Sequence, residues 1–381
     1  MFYQLPPAGN PVCLAPAVTG TVPADVFTTW SSRLLASGTA ALAAAVIAAI
    51  RLKGVDDPEV ILPAYGCPDL VSAVLYAGAR PVLVDREPDR PWMDLEQVST
   101  RINPETVAII AVSFLGIPER MDSLAALASA SSVVLIEDSA QAFPQDPDAD
   151  FWNADLVVLS FGRGKPVSLL GGGAVLYRDS RLGSLLPDFG AQGQHPGLIL
   201  RLQVTLYNLL LSPRLYWLPQ SLPFLHLGET YFHPLDQLGP MDAGRIALLP
   251  SNIEAYRRRP DTAREAMAEL VATAAVSGSD VIDLPVACGM PRSRRLLRYP
   301  VLFDRLARDS VYRELRCKGL GAAIMYPVIL PEVAGLEAVF SAAKEFPVAR
   351  SFAARLLTLP LYERLSAADF TGISECIRAD R

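Results

Sequence analysis

Between Val60 and Tyr177, short runs of β-branched and aliphatic residues recur, separated by segments with helical periodicity or turn residues. Val60–Leu62, Pro81–Asp85, Val107–Phe114, Val133–Asp138, Leu156–Ser160 and Gly173–Tyr177 read as strands. Asp69–Tyr76 and Ser123–Ser129 read as intervening helices. Strands this apolar have no polar face to offer solvent, so both of their faces must be covered. The alternation therefore predicts an α/β fold, a mostly parallel sheet flanked by helices. Ligands of such sheets bind beyond the carboxyl ends of the strands, and Ser113, Asp138 and Ser160 fall at or near those ends.

A chain of 381 residues exceeds one ordinary core. Residues 1–30 are Pro-rich and irregular and read as an arm lying on the body. Residues 31–250 read as a large domain, opened by Ser37-Gly-Thr39 and an alanine-rich helix over Ala40–Leu52. Residues 251–381 read as a small α+β domain. Its expected elements are a charged helix Ile253–Val271, a strand Arg298–Phe303 and a helix Asp309–Lys318 capped by Gly319. Ala322–Tyr326 and Leu356–Leu361 follow as further segments, with a last helix from Ser366.

Residues 196–235 break the rhythm. Leu198–Leu211 reads as an apolar helix whose polar residues Arg201, Thr205 and Asn208 fall on one narrow stripe. Pro213, Pro219 and Pro223 then interleave with Tyr216, Trp217 and Phe224. The helix lacks the basic face of interfacial helices, so the sequence favours a subunit-packing or buried helix over a membrane-surface contact.

Composition excludes several function classes. A net charge of -6 with no basic run argues against nucleic-acid binding. Cys13, Cys67, Cys288, Cys317 and Cys376 lack metal-ligand spacing or a pairing pattern, which suits a reducing cytoplasm. His195, His226 and His233 have no Cys or acidic pair nearby in sequence, so no metal site is expected. The N-terminus lacks a signal-peptide pattern, and no run of apolar residues is long enough to span a bilayer.

Lys165 is one of four lysines in the chain and follows the strand Leu156–Ser160 in a glycine-rich, apolar segment, Gly162–Gly173. Partial desolvation disfavours an ammonium, and a neutral amine attacks carbonyl carbon to give a Schiff base. An exposed turn lysine is the ordinary alternative. Asp138 closes a strand in apolar surroundings, where a buried carboxylate needs a cationic or hydrogen-bonding partner. Ser37-Gly-Thr39 precedes a helix, whose free N–H groups and dipole suit a phosphate, although such residues also serve as simple caps. Ser160 could add a hydroxyl. An anion cradle, an acid and an amine are the parts that pyridoxal phosphate requires.

With those segments, the chain resembles the DegT/DnrJ/EryC1/StrS sugar aminotransferases of fold type I. The resemblance rests on Ser37-Gly-Thr-Ala-Ala-Leu42, Leu62-Pro-Ala-Tyr65, Ala77–Asp85, Gly116-Ile-Pro-Glu-Arg-Met-Asp122, Glu137-Asp-Ser-Ala-Gln141, Ser160 through Lys165 to Gly173, and Leu357-Thr-Leu-Pro-Leu361. It implies pyridoxal phosphate held by Lys165 as Schiff-base lysine and by Asp138 at the ring nitrogen. Gln141 would lie near the ring hydroxyl, and Gly38, Thr39 and Ser160 around the phosphate. It further implies a homodimer that moves an amino group, usually from glutamate, to a ketone on a nucleotide-linked sugar in polysaccharide or glycoconjugate synthesis.

The chain departs from the family pattern at several points. Cys67 stands where the family places an aromatic ring over the cofactor, with Tyr65 as a substitute. Ser113 replaces a histidine, Leu170-Gly-Gly-Gly173 lacks the family's acid, and Leu238-Gly-Pro-Met241 lacks the asparagine that reaches a neighbouring subunit's phosphate. That phosphate ligand is then either missing or supplied elsewhere, with Arg201 or Asn208 as the candidates. Arg292, Arg294, Arg295 and Arg298 read as a solvated face, with Arg295 or Arg298 as the alternative ligands for a substrate anion. An acceptor that is more apolar or carrier-linked, and a silent cofactor-binding relative with a regulatory or scaffold role, are the other functions compatible with these residues.

Overall fold

The computed structural model describes residues 3–6, 9–15, 27, 29–146, 150–189, 197–221, 230–276, 280–340 and 345–378. His195, Pro223, Phe224 and His226 lie outside them. The apolar runs build a seven-stranded sheet from β1 (Ser31–Leu35), β2 (Glu59–Pro63), β3 (Arg80–Val84), β4 (Thr106–Val112), β5 (Val134–Asp138), β6 (Leu156–Ser160) and β7 (Gly173–Tyr177). Their spatial order is β1-β7-β6-β5-β4-β2-β3. Neighbours from β6 to β3 run parallel, while β7 pairs antiparallel with both β6 and β1. The expected mostly parallel sheet is present, and β1 is an added edge strand.

Period-two alternation sends successive residues of these strands to opposite faces of the sheet. Val60, Leu62, Ala108, Ile110, Val134 and Ile136 face one side, with the helices α1 (Gly38–Lys53) and α2 (Asp69–Tyr76). Ile61, Ile109, Ala111 and Leu135 face the other, with α3 (Leu95–Arg101) and α4 (Met121–Ala130). The alanines of α1 let it lie close to the sheet, and Ala41, Ala43, Ala44, Ala45, Ala48 and Ala49 are wholly buried. A larger residue there would overpack the core at a cost of about 1–3 kcal/mol.

Further along lie α5 (Ser180–Leu185), α6 (Gly197–Leu210), α7 (Trp217–Gln220), α8 (Ala243–Arg258) and α9 (Thr262–Val276). The single charged helix expected over Ile253–Val271 is two helices. Pro260 lacks an amide hydrogen and restricts the residue before it, so α8 ends and Arg259 is extended. The three-stranded antiparallel sheet β10-β9-β8 comprises β8 (Val281–Asp283), β9 (Tyr299–Phe303) and β10 (Leu356–Leu359). It is accompanied by α10 (Leu284–Ala287), α11 (Arg305–Cys317), α12 (Pro347–Arg355) and α13 (Ala367–Arg378). Ala322–Tyr326 is not a strand; Ala323 makes one isolated bridge to Thr358. One buried cluster runs continuously from the larger sheet into the smaller.

The described N-terminal residues are stitched to the body. Leu5 is buried and its N–H donates to the Gly319 carbonyl at 2.8 Å. The Val12 and Cys13 amides donate to the side chains of Asn208 and Asn252. Among the described residues, no helix is long and apolar enough to cross a membrane.

Candidate active site

The carboxyl ends of β4, β5 and β6 open into a cleft of ≈ 550 Å³, including its mouth, lined by Gly38, Thr39, Cys67, Asp69, Phe114, Asp138, Gln141, Ser160, Lys165 and Tyr326, among others. The sheet thus brings together Gly38, Thr39, Cys67, Asp138, Gln141, Ser160 and Lys165.

The floor is built where α1 begins. Ser37 is extended and its Oγ accepts from the Ala40 N–H at 3.0 Å, which caps the helix. Gly38 lies against the end of β6: a Cβ there would come within 2.5 Å of the Ser160 Cβ and 2.6 Å of its Oγ. Ser37 likewise touches β7, since a Cβ on Gly173 would fall 2.4 Å from the Ser37 carbonyl oxygen. Two glycines therefore let the helix start abut two strand ends, with the positive end of the helix dipole directed into the cleft. Thr39 donates from Oγ1 to Asp69 Oδ2 at 3.1 Å, so its hydroxyl already has an acceptor.

Asp138 ends β5. It is buried, and its Oδ1 accepts from the Ala140 N–H at 3.0 Å. Burial pushes its carboxyl above the ordinary range, while the Ala140 N–H and the Lys165 cation pull it down. Lys165 is half-buried on the loop after β6. Gln141 accepts the Leu115 N–H at 2.7 Å and donates to the Tyr326 hydroxyl at 3.1 Å. Its amide thus fixes Tyr326, a lining residue that the sequence reading left in an unremarkable segment. Asp69 was also missed, because a leading acid on a helix looks like an ordinary N-terminal residue.

Cys67 faces the cleft, but burial around its sulfur and the Asp69 carboxylate push the thiol up to about 12, against a smaller opposing effect from Lys165. It is a neutral packing group at physiological pH. Tyr65 does not substitute for a ring over the cofactor. It is wholly buried, donates to the Met325 carbonyl, and packs against Phe114, Phe352 and Tyr326. Below it the buried Arg86 guanidinium lies 4.9 Å from the Tyr65 ring centre and donates to the Tyr65 carbonyl at 2.6 Å. Phe114 and Tyr326 are the aromatic residues of the cleft.

Three further expectations fail. The arginine group is not a solvated face: only Arg292 is exposed. Arg298 is buried and donates to the Gly321 and Thr358 carbonyls, and Arg295 to the Tyr256 and Arg259 carbonyls. Backbone carbonyls take donors of both guanidinium groups, and neither side chain lines the cleft. Asn208 binds the Val12 backbone through both ends of its amide, and Arg201 points to solvent, so neither lines the cleft of its own chain. Ser113 gives its hydroxyl to Glu137 Oε1 at 2.9 Å, on the side of β5 away from Asp138.

The donor set fits pyridoxal phosphate. A glycine-tight helix start suits its phosphate, the buried Asp138 suits a protonated ring nitrogen, and Lys165 stands within the same cleft. The model of the DegT/DnrJ/EryC1/StrS aminotransferase family matches residues 33–198 and 258–378. The chain belongs to that family. A UDP-N-acetyl-3-dehydro-alpha-D-glucosamine 3-aminotransferase of Acidithiobacillus ferrooxidans is 29% identical over 350 residues, covering 90% of this chain and 82% of the relative. A UDP-2-acetamido-2-deoxy-3-oxo-D-glucuronate aminotransferase of Pseudomonas aeruginosa is 26% identical over 324 residues, covering 81% and 76%. NtdA of Bacillus subtilis, solved with bound cofactor PMP, has the same fold, with a TM-score of 0.70 and 18% identity over 91% of this chain and 72% of its own. Membership in this aminotransferase family agrees with the order of the sequence motifs. The region between the two matched stretches holds most of α6 together with α7 and α8.

Proposed function

We propose that this family member is a pyridoxal-phosphate-dependent aminotransferase that aminates a ketone on a nucleotide-linked sugar, with glutamate as donor. The observation that carries this reading is the convergence of Lys165, Asp138 and the Gly38–Ser160 contact in one cleft. The relatives named for UDP-linked 3-keto sugars supply the acceptor class.

When bound, the cofactor supplies an aldehyde and an electron-withdrawing ring. Gly38 and Thr39 offer backbone N–H groups, and Ser160 a hydroxyl, to its phosphate. Asp138 would keep a proton on the ring nitrogen, and its burial would strengthen that charge pair. Lys165 would hold the aldehyde group through Nζ, and its amine is the group placed to move a proton from the donor's α-carbon. Phe114 and Tyr326 exclude water from the ring, and Gln141 locks the Tyr326 hydroxyl. On this reading residues 31–250 form the cofactor domain, residues 251–381 the small domain and residues 1–30 an arm. The enzyme is a cytoplasmic homodimer whose partner supplies phosphate contacts that the chain's own cleft lacks.

Borohydride reduction of the cofactor-loaded protein followed by peptide mapping should label Lys165. Glutamate should convert the bound cofactor to its amine form and release 2-oxoglutarate. Labelling elsewhere removes the role given to Lys165, and failure of both glutamate and glutamine with cofactor bound removes transamination.

A further inference from the structure

Helix α6 faces a row of leucines outward. Leu198 is 81%, Leu202 69%, Leu206 54% and Leu209 57% exposed, and spacings of four, four and three place them on one stripe. The opposite side of the helix, with Leu200 and Val204, fills the core beneath. Leu218 on α7 is exposed as well. Isolated surface leucines need no explanation, but an aligned row of four on one helix does.

Charge identifies what covers it. From Phe189 to Gly228 the chain has no Asp or Glu, although it carries 40 acidic residues in all. Arg201 and Arg214, both exposed, are the cations of that stretch that belong to the described residues. Asp188, the acid just before it, is paired with Arg33 at 3.0 Å. An anionic surface approaching this stretch meets leucine and arginine, despite the net negative charge of the chain.

By itself α6 offers too small a face to hold a second copy of the chain. A helix of 14 residues is about 21 Å long and about 10 Å wide, so its footprint is about 200 Å². Stable protein interfaces use about 800 Å² per partner. A lipid surface sets no such minimum, because each side chain enters the acyl boundary separately.

We propose that α6 lies flat on an anionic lipid surface, with the leucine stripe in the acyl boundary and Arg201 and Arg214 among the headgroups. The helix anchors the protein without spanning the bilayer. It lies almost wholly in the stretch between the two family matches, which end at residue 198 and resume at 258. Tyr207 on its flank stands beside Gly164 and Ser168, so the docked helix sits directly on the loop that carries Lys165. From the sequence alone the helix looked too poor in basic residues for this role, and the structure adds the outward aim of its leucines.

The test is flotation of the full-length protein with vesicles of mixed phosphatidylcholine and phosphatidylglycerol, and with phosphatidylcholine alone. Wild type should float with the mixed vesicles, and Leu202→Glu/Leu206→Glu should lower the bound fraction at least about tenfold. Arg201→Gln/Arg214→Gln should erase the preference for the anionic mixture. Circular dichroism and sedimentation of each variant should match wild type. Wild type that stays at the bottom with both vesicles overturns the proposal, as does a doubly charged variant that floats like wild type. A lower sedimentation mass for that variant with unchanged lipid binding assigns the stripe to a second copy and also overturns it. None of these readouts depends on the proposed aminotransfer chemistry.

Discussion

Replacing Glu137 by Gln should make the protein more stable at pH 8 than wild type while changing little at acidic pH. Glu137 is wholly buried. Its Oε1 accepts from Ser113, and the Asn153 N–H also faces the carboxylate. Burial pushes the carboxyl up to about 7 from its ordinary 4.5; the Arg294 cation and the Ser113 hydroxyl pull it back, and Asp138 adds to the rise. Between those two pH values the unfolded chain releases the proton that the folded chain keeps. Stability from this group is therefore fully present below pH 4.5 and is lost as pH rises through 7. At about 1.4 kcal/mol per pKa unit, the loss is about 3 kcal/mol. Gln has the same shape, can still accept from Ser113 and does not titrate. Urea unfolding of both proteins at pH 5 and pH 8, with saturating cofactor, measures the difference. The variant should gain on wild type by about 3 kcal/mol at the higher pH. A difference that does not change with pH, or one that moves against the variant as pH rises, refutes the reasoning.

Three shorter predictions concern the cleft. Asp138→Asn should lower kcat at least about 100-fold with cofactor still bound, because the amide cannot hold the ring-nitrogen proton by charge; single-turnover absorbance with glutamate measures it. Gly38→Ala should weaken cofactor retention on dialysis, since its Cβ overlaps Ser160, and Ser160→Gly in the same chain should restore part of that retention. Iodoacetamide at pH 7.5 should modify the exposed Cys317 and leave Cys67 unmodified, which mass spectrometry of the peptides would show.

Strands β2 to β7 were legible because each is a short apolar run covered on both faces, so periodicity and length define it locally. Leu156–Ser160 and Gly173–Tyr177 coincide with the expected ranges, and Asp69–Tyr76 does so among the helices. β1 was not legible: Ser31–Leu35 is mixed in character and becomes a strand by pairing with β7, nearly 140 residues away in sequence. The cofactor residues were legible because they close a strand, open a helix or lie on the loop just beyond a strand end, and parallel strands gather such positions at one end of the sheet. Tyr326 and Asp69 enter the cleft through contacts between distant segments, which no local pattern announces.

Residue order alone determined the α/β architecture, the strand ends on which the chemistry sits and the lysine that would carry it, since all of these follow from hydrophobic period and chain direction. Only the tertiary structure decided which way ambiguous side chains turn. It buried Arg295 and Arg298 against carbonyls, withdrew Tyr65 from the cleft and aimed the leucines of α6 at solvent. Burial of a long or amphipathic side chain depends on what other parts of the chain place over it, and that information is not stored beside the residue itself.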